Sequence, residues 1–595
     1  MNINKNRNLV KFYKLFPPQS TVLLIAFLVG ILAALGNVIL RLSVEFIEKN
    51  ILLKITPPGT GFSISRLFLV LIPIIGAILL FGFLKLLKTD SDGYGFPKFL
   101  ENVNLRGGIL TIKDFFKQII GATITLGFGG SAGLEGPSAV EGSVVGVIVS
   151  KYFNSSSSRK KVLIASGAAA AIASNFNAPI TGVFFALELV LLREYELESL
   201  GAIVIASAMG TVVSRAIFGH NPIFVVPHYE LKNGIELIYY TIFGIIVGIL
   251  AAIFTKLFYR TKDLIEILWK KLGITSTLTR LLIGFTLVGI IGIFTPGVMG
   301  GGYEFIHRAL TNRITLFLLI IMIFTKMFAT AITLNSGGIG GMFGPAMFIG
   351  AMVGAAYGNI LNISLNANIA PGAYAIVGVG AFLAALTHAP LTGIFLLFEM
   401  TGDYQIMIPG MIVSIIGLFF SRALNINSID SEDLARRNII LEGGREISVL
   451  SGITAKDVMN PNFISISPYT HLKDILKLVT ESNSPYFVIV NEQNDLLGIV
   501  SFHDLRTILY EEELGDLVVA EDIATKDIIY VTEQDNLNQV LAKFSLKDLP
   551  ALPVIKPENG SKKMLGFIHR GDVIAKYNNE VLKKMYSEET EADKI

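Results

Sequence analysis

The sequence contains no cysteine, and only 16% of its 595 residues are charged. The absence of cysteine excludes disulfide bonds, thiolate metal sites and cysteine nucleophiles. Its seven histidines are scattered without metal-ligand spacing, and a formal net charge of +2 gives no reason to expect a nucleic-acid partner. The sequence has no zinc signature, phosphate-binding lysine loop or nucleophile–base pair. We therefore expect no metal site, no required cofactor and no enzymatic activity.

Hydrophobic residues make up 52% of the chain and are gathered in runs long enough to cross a bilayer. Such runs satisfy their backbone hydrogen bonds inside helices, which predicts an all-α polytopic membrane domain. Several runs are short or interrupted by Gly or Pro, which is typical of broken helices that line a cavity. The runs lie at Ser20–Val44, 66–88, 110–127, 139–153, 161–192, 200–217, 236–258, 277–297, 313–333, 342–361, 371–400 and 405–423.

A basic flank precedes the first run and carries Lys5, Arg7, Lys11 and Lys14. The positive-inside tendency predicts a cytoplasmic N-terminus. The first run is longer than a signal-peptide core and has no clear small-residue cleavage site, so we expect a retained helix. We expect a multi-pass protein of the plasma (inner) membrane whose tail is also cytoplasmic.

From Glu442 onwards charges become frequent and no run reaches membrane length. This change divides the chain into a membrane domain, 1–440, and a soluble α/β tail, 441–595. Gly498 and Asp504 recur as Gly566 and Asp572, 68 residues later (566 − 498), which predicts two β-α-β-β-α units at about 453–512 and 518–580. The predicted elements are strands Phe463–Ser467, Tyr486–Val490, Leu496–Val500, Ile528–Thr532, Ala551–Ile555 and Met564–Ile568, and a helix Leu472–Thr480.

The membrane domain contains an internal repeat. Asn177–Glu188 matches His388–Glu399 at an offset of 211 (388 − 177), and Gly133–Pro137 aligns with Gly341–Pro345 at 208 (345 − 137). Many transporters are built from two such halves, with the substrate site near the midplane where their broken helices converge. The repeat predicts halves of about 20–217 and 236–425.

Glu135 is an isolated carboxylate in a glycine-crowded segment at membrane depth. Ionisable groups are costly there and are usually tied to a transport pathway or paired internally. A Gly-x-x-Gly-Pro element favours an exposed helix N-terminus, whose N–H groups and positive end stabilise an anion without a lysine or arginine. The carboxylate of Glu135 could occupy the same positive site and act as a plug that leaves when protonated or displaced.

Each of these features also has a structural interpretation. The glycines could only permit close helix packing, and Glu188 and Glu399 could be satisfied groups that brace a helix. Lys326 could snorkel to an interface or pair internally. We expect Phe184, Phe185 and Phe395 to face lipid or the protein core.

These residues resemble the CLC family of chloride channels and proton/chloride exchangers, over essentially the whole chain. Gly93–Pro97 is similar to the family's Gly-Ser-Gly-Ile-Pro element, Gly133–Pro137 to its Gly-Lys/Arg-Glu-Gly-Pro element and Gly341–Pro345 to its Gly-x-Phe-x-Pro element. The resemblance implies an inverted repeat of helices and a homodimer with one chloride pathway per subunit. It also implies that Glu135 is the gating glutamate and that an anion binds near Gly133, Gly136, Gly341, Met342, Phe343, Gly344, Tyr94, Gly95 and Phe96.

Four residues depart from the family pattern. Tyr94 stands where a chloride-coordinating serine is common, and Asp430 replaces a coordinating tyrosine, where a carboxylate would repel an anion unless neutral or turned away. Leu134 replaces the basic residue before the gating glutamate. Leu189 stands where exchangers commonly carry a proton-accepting glutamate, which favours a glutamate-gated channel over a proton/chloride antiporter, although Glu188 next to it could serve a proton path.

The tail resembles a pair of CBS domains, which often bind adenine nucleotides such as ATP or AMP. In that pattern Ser501 would reach a phosphate and Asp504 a ribose, and Asp572 repeats the second position. His569 takes the hydroxyl position in the second copy. A purely structural dimerisation module is the alternative, and a membrane-anchored nucleotide sensor is a third hypothesis for the whole protein, although an anchor needs no repeated glycine-proline elements.

Overall fold

The computed structural model describes residues 18–52, 54, 68–91, 93–192, 197–220, 234–437, 439, 453–482, 484–506, 515–547, 549–558 and 561–579. The chain forms two compact units, Met1–Arg437 and Asn438–Ile595. The basic flank from Lys5 to Lys14 and the start of the charged tail at Glu442 lie outside the described residues.

The first unit is helical, as predicted. Eight helices among the described residues are long and apolar enough to cross a membrane, and large apolar side chains such as Leu86 and Phe317 are exposed on its surface. Its helices are α1 Pro18–Ile47, α2 Leu71–Leu87, α3 Phe96–Asn104, α4 Ile112–Gly127, α5 Glu135–Tyr152, α6 Ser157–Phe176, α7 Pro179–Phe185, α8 Leu197–Phe218, α9 Ile235–Lys271, α10 Thr277–Phe294, α11 Tyr303–Leu310, α12 Leu316–Asn335, α13 Phe343–Leu365, α14 Pro371–Thr387, α15 Pro390–Thr401, α16 Met407–Leu424 and α17 Glu432–Arg436.

Two of the long apolar runs are broken at equivalent places. The runs 161–192 and 371–400 each divide at a residue in the left-handed region, Asn177 (φ 56°) and His388 (φ 58°). In each repeat a proline, Pro179 or Pro390, then begins the next helix, because proline suits the first turn, where its missing N–H is not needed. The interruptions read from the sequence are therefore helix breaks within the bundle.

Paired glycines bring neighbouring helices into close contact. A Cβ on Gly167 of α6 would lie 1.9 Å from the carbonyl oxygen of Gly142 on α5, and one on Gly378 of α14 would lie 2.1 Å from that of Gly350 on α13. These are too short for any side chain, so glycine is required for the packing. The two pairs lie at equivalent positions of the repeat, since 350 − 142 is 208 and 378 − 167 is 211.

The described residues of the second unit form two similar three-stranded sheets. In the first, β1 pairs parallel with β2 and β2 antiparallel with β3; β4, β5 and β6 repeat this arrangement, with irregularities at Ile489/Val490 and Val554/Ile555. The predicted strands are present, although only Val531 and Thr532 of the fourth pair in a sheet. The elements are β1 Ile464–Ile466, α18 Leu472–Glu481, β2 Tyr486–Val490, β3 Leu496–Ser501, α19 Phe502–Leu505, α20 Ala520–Ile523, β4 Val531–Thr532, α21 Leu537–Lys547, β5 Ala551–Glu558 and β6 Ser561–His569.

Candidate functional site

The two Gly-Pro elements meet directly. The N–H of Gly133 donates to the carbonyl of Gly341 at 2.8 Å, and the N–H of Gly341 donates back to the carbonyl of Gly133 at 2.8 Å. A Cβ on Gly133 would lie 2.6 Å from the nitrogen of Gly344, so glycine is required for this approach. Helices α5 and α13 begin two residues after this contact, so their N-termini lie close together.

The carboxylate of Glu135 is buried at this junction. One oxygen, Oε2, accepts the N–H of Gly344 in the first turn of α13 at 3.0 Å, and the other, Oε1, accepts the hydroxyl of Tyr303 at 2.7 Å. Its side chain is 0% exposed. The carboxylate therefore occupies the positive end of α13, where a free anion would also be stabilised.

Sequence reasoning missed Tyr303 and the role of Lys326. Tyr303 begins α11 after the run Gly300–Gly302, and Lys326 holds that loop by donating to the carbonyls of Val298 (3.0 Å) and Gly300 (2.9 Å). Lys326 is 0% exposed, so the suggestion that it snorkels to an interface is wrong and internal pairing is correct. The sequence signal that could have pointed to Tyr303 is the run of three glycines directly before it.

A small cavity, here called the central cavity, lies at the same junction. The centre of a water molecule has about 10 Å³ to occupy in it, which is room for roughly one water-sized particle. Phe185 is 0% exposed and lines it, a position that sequence analysis assigned only to lipid or core. The lining residues are Tyr94, Phe96, Gly136, Phe185, Gly341, Met342, Phe343 and Asp430.

The two substituted positions, Tyr94 and Asp430, contact each other across 336 residues. The Tyr94 hydroxyl donates to Oδ1 of Asp430, whose side chain is 1% exposed. One carboxylate oxygen is thus paired with a donor, but the residue still lines the central cavity, so Asp430 is not turned away from it. Gly95 serves as the N-cap of α3, which begins at Phe96.

Glu188 of the first repeat caps a helix of the second repeat, and Glu399 of the second repeat caps a helix of the first. Glu188 accepts the N–H groups of Leu391 (3.1 Å) and Thr392 (2.8 Å) at the start of α15, and Glu399 accepts those of Ile180 (2.8 Å) and Thr181 (2.7 Å) at the start of α7. Each carboxylate also accepts the threonine hydroxyl at 2.7 Å. This reciprocal arrangement favours the bracing interpretation of both residues. Leu189 is buried beside Glu188 in a short π-helix, Ala186–Val190.

In the tail, Ser501 and Asp504 contact each other. Oδ2 of Asp504 accepts the N–H of Ser501 at 2.8 Å and its hydroxyl at 2.7 Å, which caps the short helix α19. Asp572 is exposed. In the same unit, hydrogen bonds from the hydroxyl and N–H of Thr454 hold the pKa of Asp457 below its usual value. Among the described residues no group of three or more His, Cys, Asp or Glu could hold a metal ion.

Comparison with family models gives two matches. Residues 75–422 match the model described as voltage gated chloride channel, and residues 455–511 and 519–579 each match the CBS domain. The first match covers more than half of the chain.

Curated relatives and solved structures agree with these models. The chain is 27% identical to "Chloride channel protein CLC-f" of Arabidopsis thaliana, over 97% of this chain and 83% of that protein. It is 29% identical to "H(+)/Cl(-) exchange transporter ClcA" of Vibrio campbellii, over 71% and 90%. A slow cyanobacterial Cl⁻/H⁺ antiporter superposes with a TM-score of 0.63 at 25% identity, over 71% and 98%. A eukaryotic CLC transporter, at 20% identity and a TM-score of 0.58, shares the fold over 93% of this chain and 97% of its own.

Proposed function

The chain belongs to the voltage gated chloride channel family, CLC, and we propose that it carries chloride across a membrane as a channel gated by Glu135. The observation that carries this proposal is the position of the Glu135 carboxylate, which accepts the N–H of Gly344 at the start of α13. An anion bound there would have to replace the carboxylate. The carboxylate and chloride thus compete for one positive helix end.

Protonation is the step that would release the gate. An ionised carboxylate is held by a charge-assisted hydrogen bond from Gly344 and another from Tyr303. A neutral carboxyl group loses most of this attraction and no longer offers two anionic oxygens, so it leaves the helix end more readily. Chloride flux should therefore rise as the pH falls.

The side chains of Leu189 and Glu188 favour passive chloride flux over proton/chloride exchange. Leu189 cannot accept a proton, and Glu188 is occupied as the cap of α15. Exchange is the second candidate, because a relative that matches 71% of this chain is named an H(+)/Cl(-) exchange transporter. Liposomes loaded with chloride separate the two candidates. If a chloride gradient drives protons against their own gradient, the protein is an antiporter and the channel proposal is wrong.

The gate is tested by chloride efflux from liposomes between pH 4.5 and 6.5. We expect Glu135→Gln to remove most of the pH dependence and to raise flux at pH 6.5 by about tenfold, the effect of removing about 1.4 kcal/mol of hydrogen bonding to a charged group. Glu141→Gln is the matched control, because Glu141 is also a buried acid on α5 but makes no contact with Gly344 among the hydrogen bonds described. An unchanged pH profile in Glu135→Gln would contradict the gate.

The remaining proposals follow the family resemblance. We propose a homodimer in the plasma (inner) membrane with the N-terminus and tail in the cytoplasm. An adenine nucleotide at Ser501, Asp504 and Asp572 is testable by titrating the full-length protein with ATP in a calorimeter. The absence of heat up to millimolar ATP would leave the tail as a structural module, and the nucleotide-sensor hypothesis would be rejected with it.

A further inference from the structure

Asp430 has one carboxylate oxygen that is satisfied and one that is not. Oδ1 accepts the Tyr94 hydroxyl, whereas Oδ2 is buried with no hydrogen-bond partner. Buried carboxylates normally have both oxygens paired, because an unpaired ionised oxygen away from water is strongly unfavourable. Asp430 also lines the central cavity, so the unpaired oxygen belongs to a residue of the cavity wall.

The surroundings hold Asp430 in place without neutralising it. Tyr259 of α9 donates to the carbonyl of Ile429 at 2.8 Å, and the N–H of Ile429 donates to the carbonyl of Leu386 at the end of α14 at 3.1 Å. No basic side chain among the described residues pairs with Asp430.

The other titratable groups around Asp430 do not supply the missing partner. Tyr94 donates its hydroxyl to Oδ1, and Tyr259 donates to the neighbouring carbonyl of Ile429. On its own segment, Asp433 is paired with Lys262 at 2.5 Å. Besides Tyr94 and Asp430, the cavity is lined by Phe96, Gly136, Phe185 and the Gly341–Phe343 segment, which carry no charged side chain. Among the described residues a proton is therefore the remaining means of neutralising Asp430.

Tyr94 lies between two cavities. Besides the central cavity it lines a larger one, here called the vestibule, in which the centre of a water molecule has about 190 Å³ to occupy. Tyr94 is the residue that both linings share. The Tyr94–Asp430 contact therefore lies where an anion would pass between them. Residues lining the vestibule include Ser91, Tyr94, Tyr259, Lys262, Arg280 and Asp433.

We propose that Tyr94 and Asp430 form a second gate, at which an anion enters the central cavity only while Asp430 is protonated. The inference rests on the proposed anion transport. Ionised, Asp430 repels the anion from the small cavity. Protonated, it keeps Oδ1 as acceptor for Tyr94 and turns its unpaired Oδ2 into an O–H donor towards the anion. The proton comes from solvent and no covalent bond other than this O–H forms or breaks.

The proposal predicts that chloride binding takes up a proton. Binding is measured by calorimetry on purified Glu135→Gln protein, in which the first carboxylate no longer titrates, between pH 6 and 9. Because binding and protonation are reciprocally linked, we expect the chloride Kd to rise about tenfold per pH unit above the pH at which Asp430 ionises. An indicator dye in weak buffer should then record uptake on the order of one proton per chain at saturating chloride.

A variant without the Asp430 carboxylate provides the comparison for these measurements. In the double variant Glu135→Gln/Asp430→Asn the Kd should be independent of pH and no proton should be taken up. Glu135→Gln/Glu141→Gln is the control, because Glu141 is a buried acid of α5 that lines neither the vestibule nor the central cavity, and it should behave as Glu135→Gln does.

Two results would overturn the proposal, and a third would overturn the function on which it rests. A pH-independent Kd in Glu135→Gln alone contradicts it even if the double variant fails to fold, and so does undiminished proton uptake in the double variant. Loss of all chloride binding in Glu135→Gln at pH 6 would instead contradict the proposed transport function on which the inference rests.

Discussion

The two Gly-Pro elements have the same backbone arrangement but different side chains. Each begins with a glycine that pairs with its counterpart and ends in the first turn of a helix, α5 or α13. The first carries Glu135 where the second carries Phe343. One repeat therefore supplies a carboxylate and the other the amide that receives it, so the two copies of one backbone differ by the acidic side chain on which the proposed gate depends.

The largest effect should come from breaking the contact between the two elements. A Cβ on Gly133 would meet Oε2 of Glu135 at 2.3 Å, and one on Gly341 would meet the nitrogen of Gly136 at 2.6 Å. We expect Gly133→Ala and Gly341→Ala each to destabilise the protein by about 1–3 kcal/mol or more, measured by thermal unfolding in detergent. Gly82→Ala on α2, where a Cβ has nothing within 4 Å, should be neutral. Equal melting temperatures for all three would show that close approach is not required.

A smaller effect should follow from removing one of the hydrogen bonds that hold the Glu135 carboxylate. Tyr303→Phe removes the hydroxyl that donates to Oε1 of Glu135. A hydrogen bond to a charged group contributes about 1.5–3 kcal/mol, and the lower end of this range corresponds to about tenfold in rate. We therefore expect chloride flux at pH 6.5 to rise by about tenfold while remaining pH dependent. Tyr357→Phe loses only a hydrogen bond to the carbonyl of Tyr239 and should leave flux unchanged. If both variants match the wild-type flux, Tyr303 does not hold the gate.

The smallest effect should come from the reciprocal caps. Glu188→Gln and Glu399→Gln each keep one acceptor oxygen and lose the other, so we expect similar destabilisation of about 1 kcal/mol. Neither should change the ratio of proton to chloride movement in liposomes. If Glu188→Gln changes that ratio and Glu399→Gln does not, the two glutamates are not equivalent and Glu188 belongs to a proton path.

The helical membrane unit and the duplicated tail could be predicted from the sequence, because apolar runs and repeated motifs are local features. The two nearly equal offsets, 208 and 211, also indicated that Gly133–Pro137 and Gly341–Pro345 are counterparts. The roles assigned to Glu135 and to the amides near Phe343 remain predictions that the geometry favours.

The partners of the site could not be read from the sequence. Tyr303 is 168 residues from Glu135, and Asp430 is 336 residues from Tyr94, so only the tertiary fold brings either pair together. Phe185 illustrates a different limit. It follows Phe184 directly, yet successive helical residues point about 100° apart, so Phe185 lines the central cavity while Phe184 stacks on Phe395 with ring centres 4.7 Å apart.

The most direct test of the account is the position of a bound halide in Glu135→Gln protein. Crystals grown in bromide should show an anomalous peak within hydrogen-bonding distance of the Gly344 N–H in the variant, and wild-type crystals at high pH should show no peak there because the carboxylate fills the seat. A variant without bromide at Gly344, or a wild-type protein that holds bromide and the carboxylate there together, would contradict the competition between anion and gate.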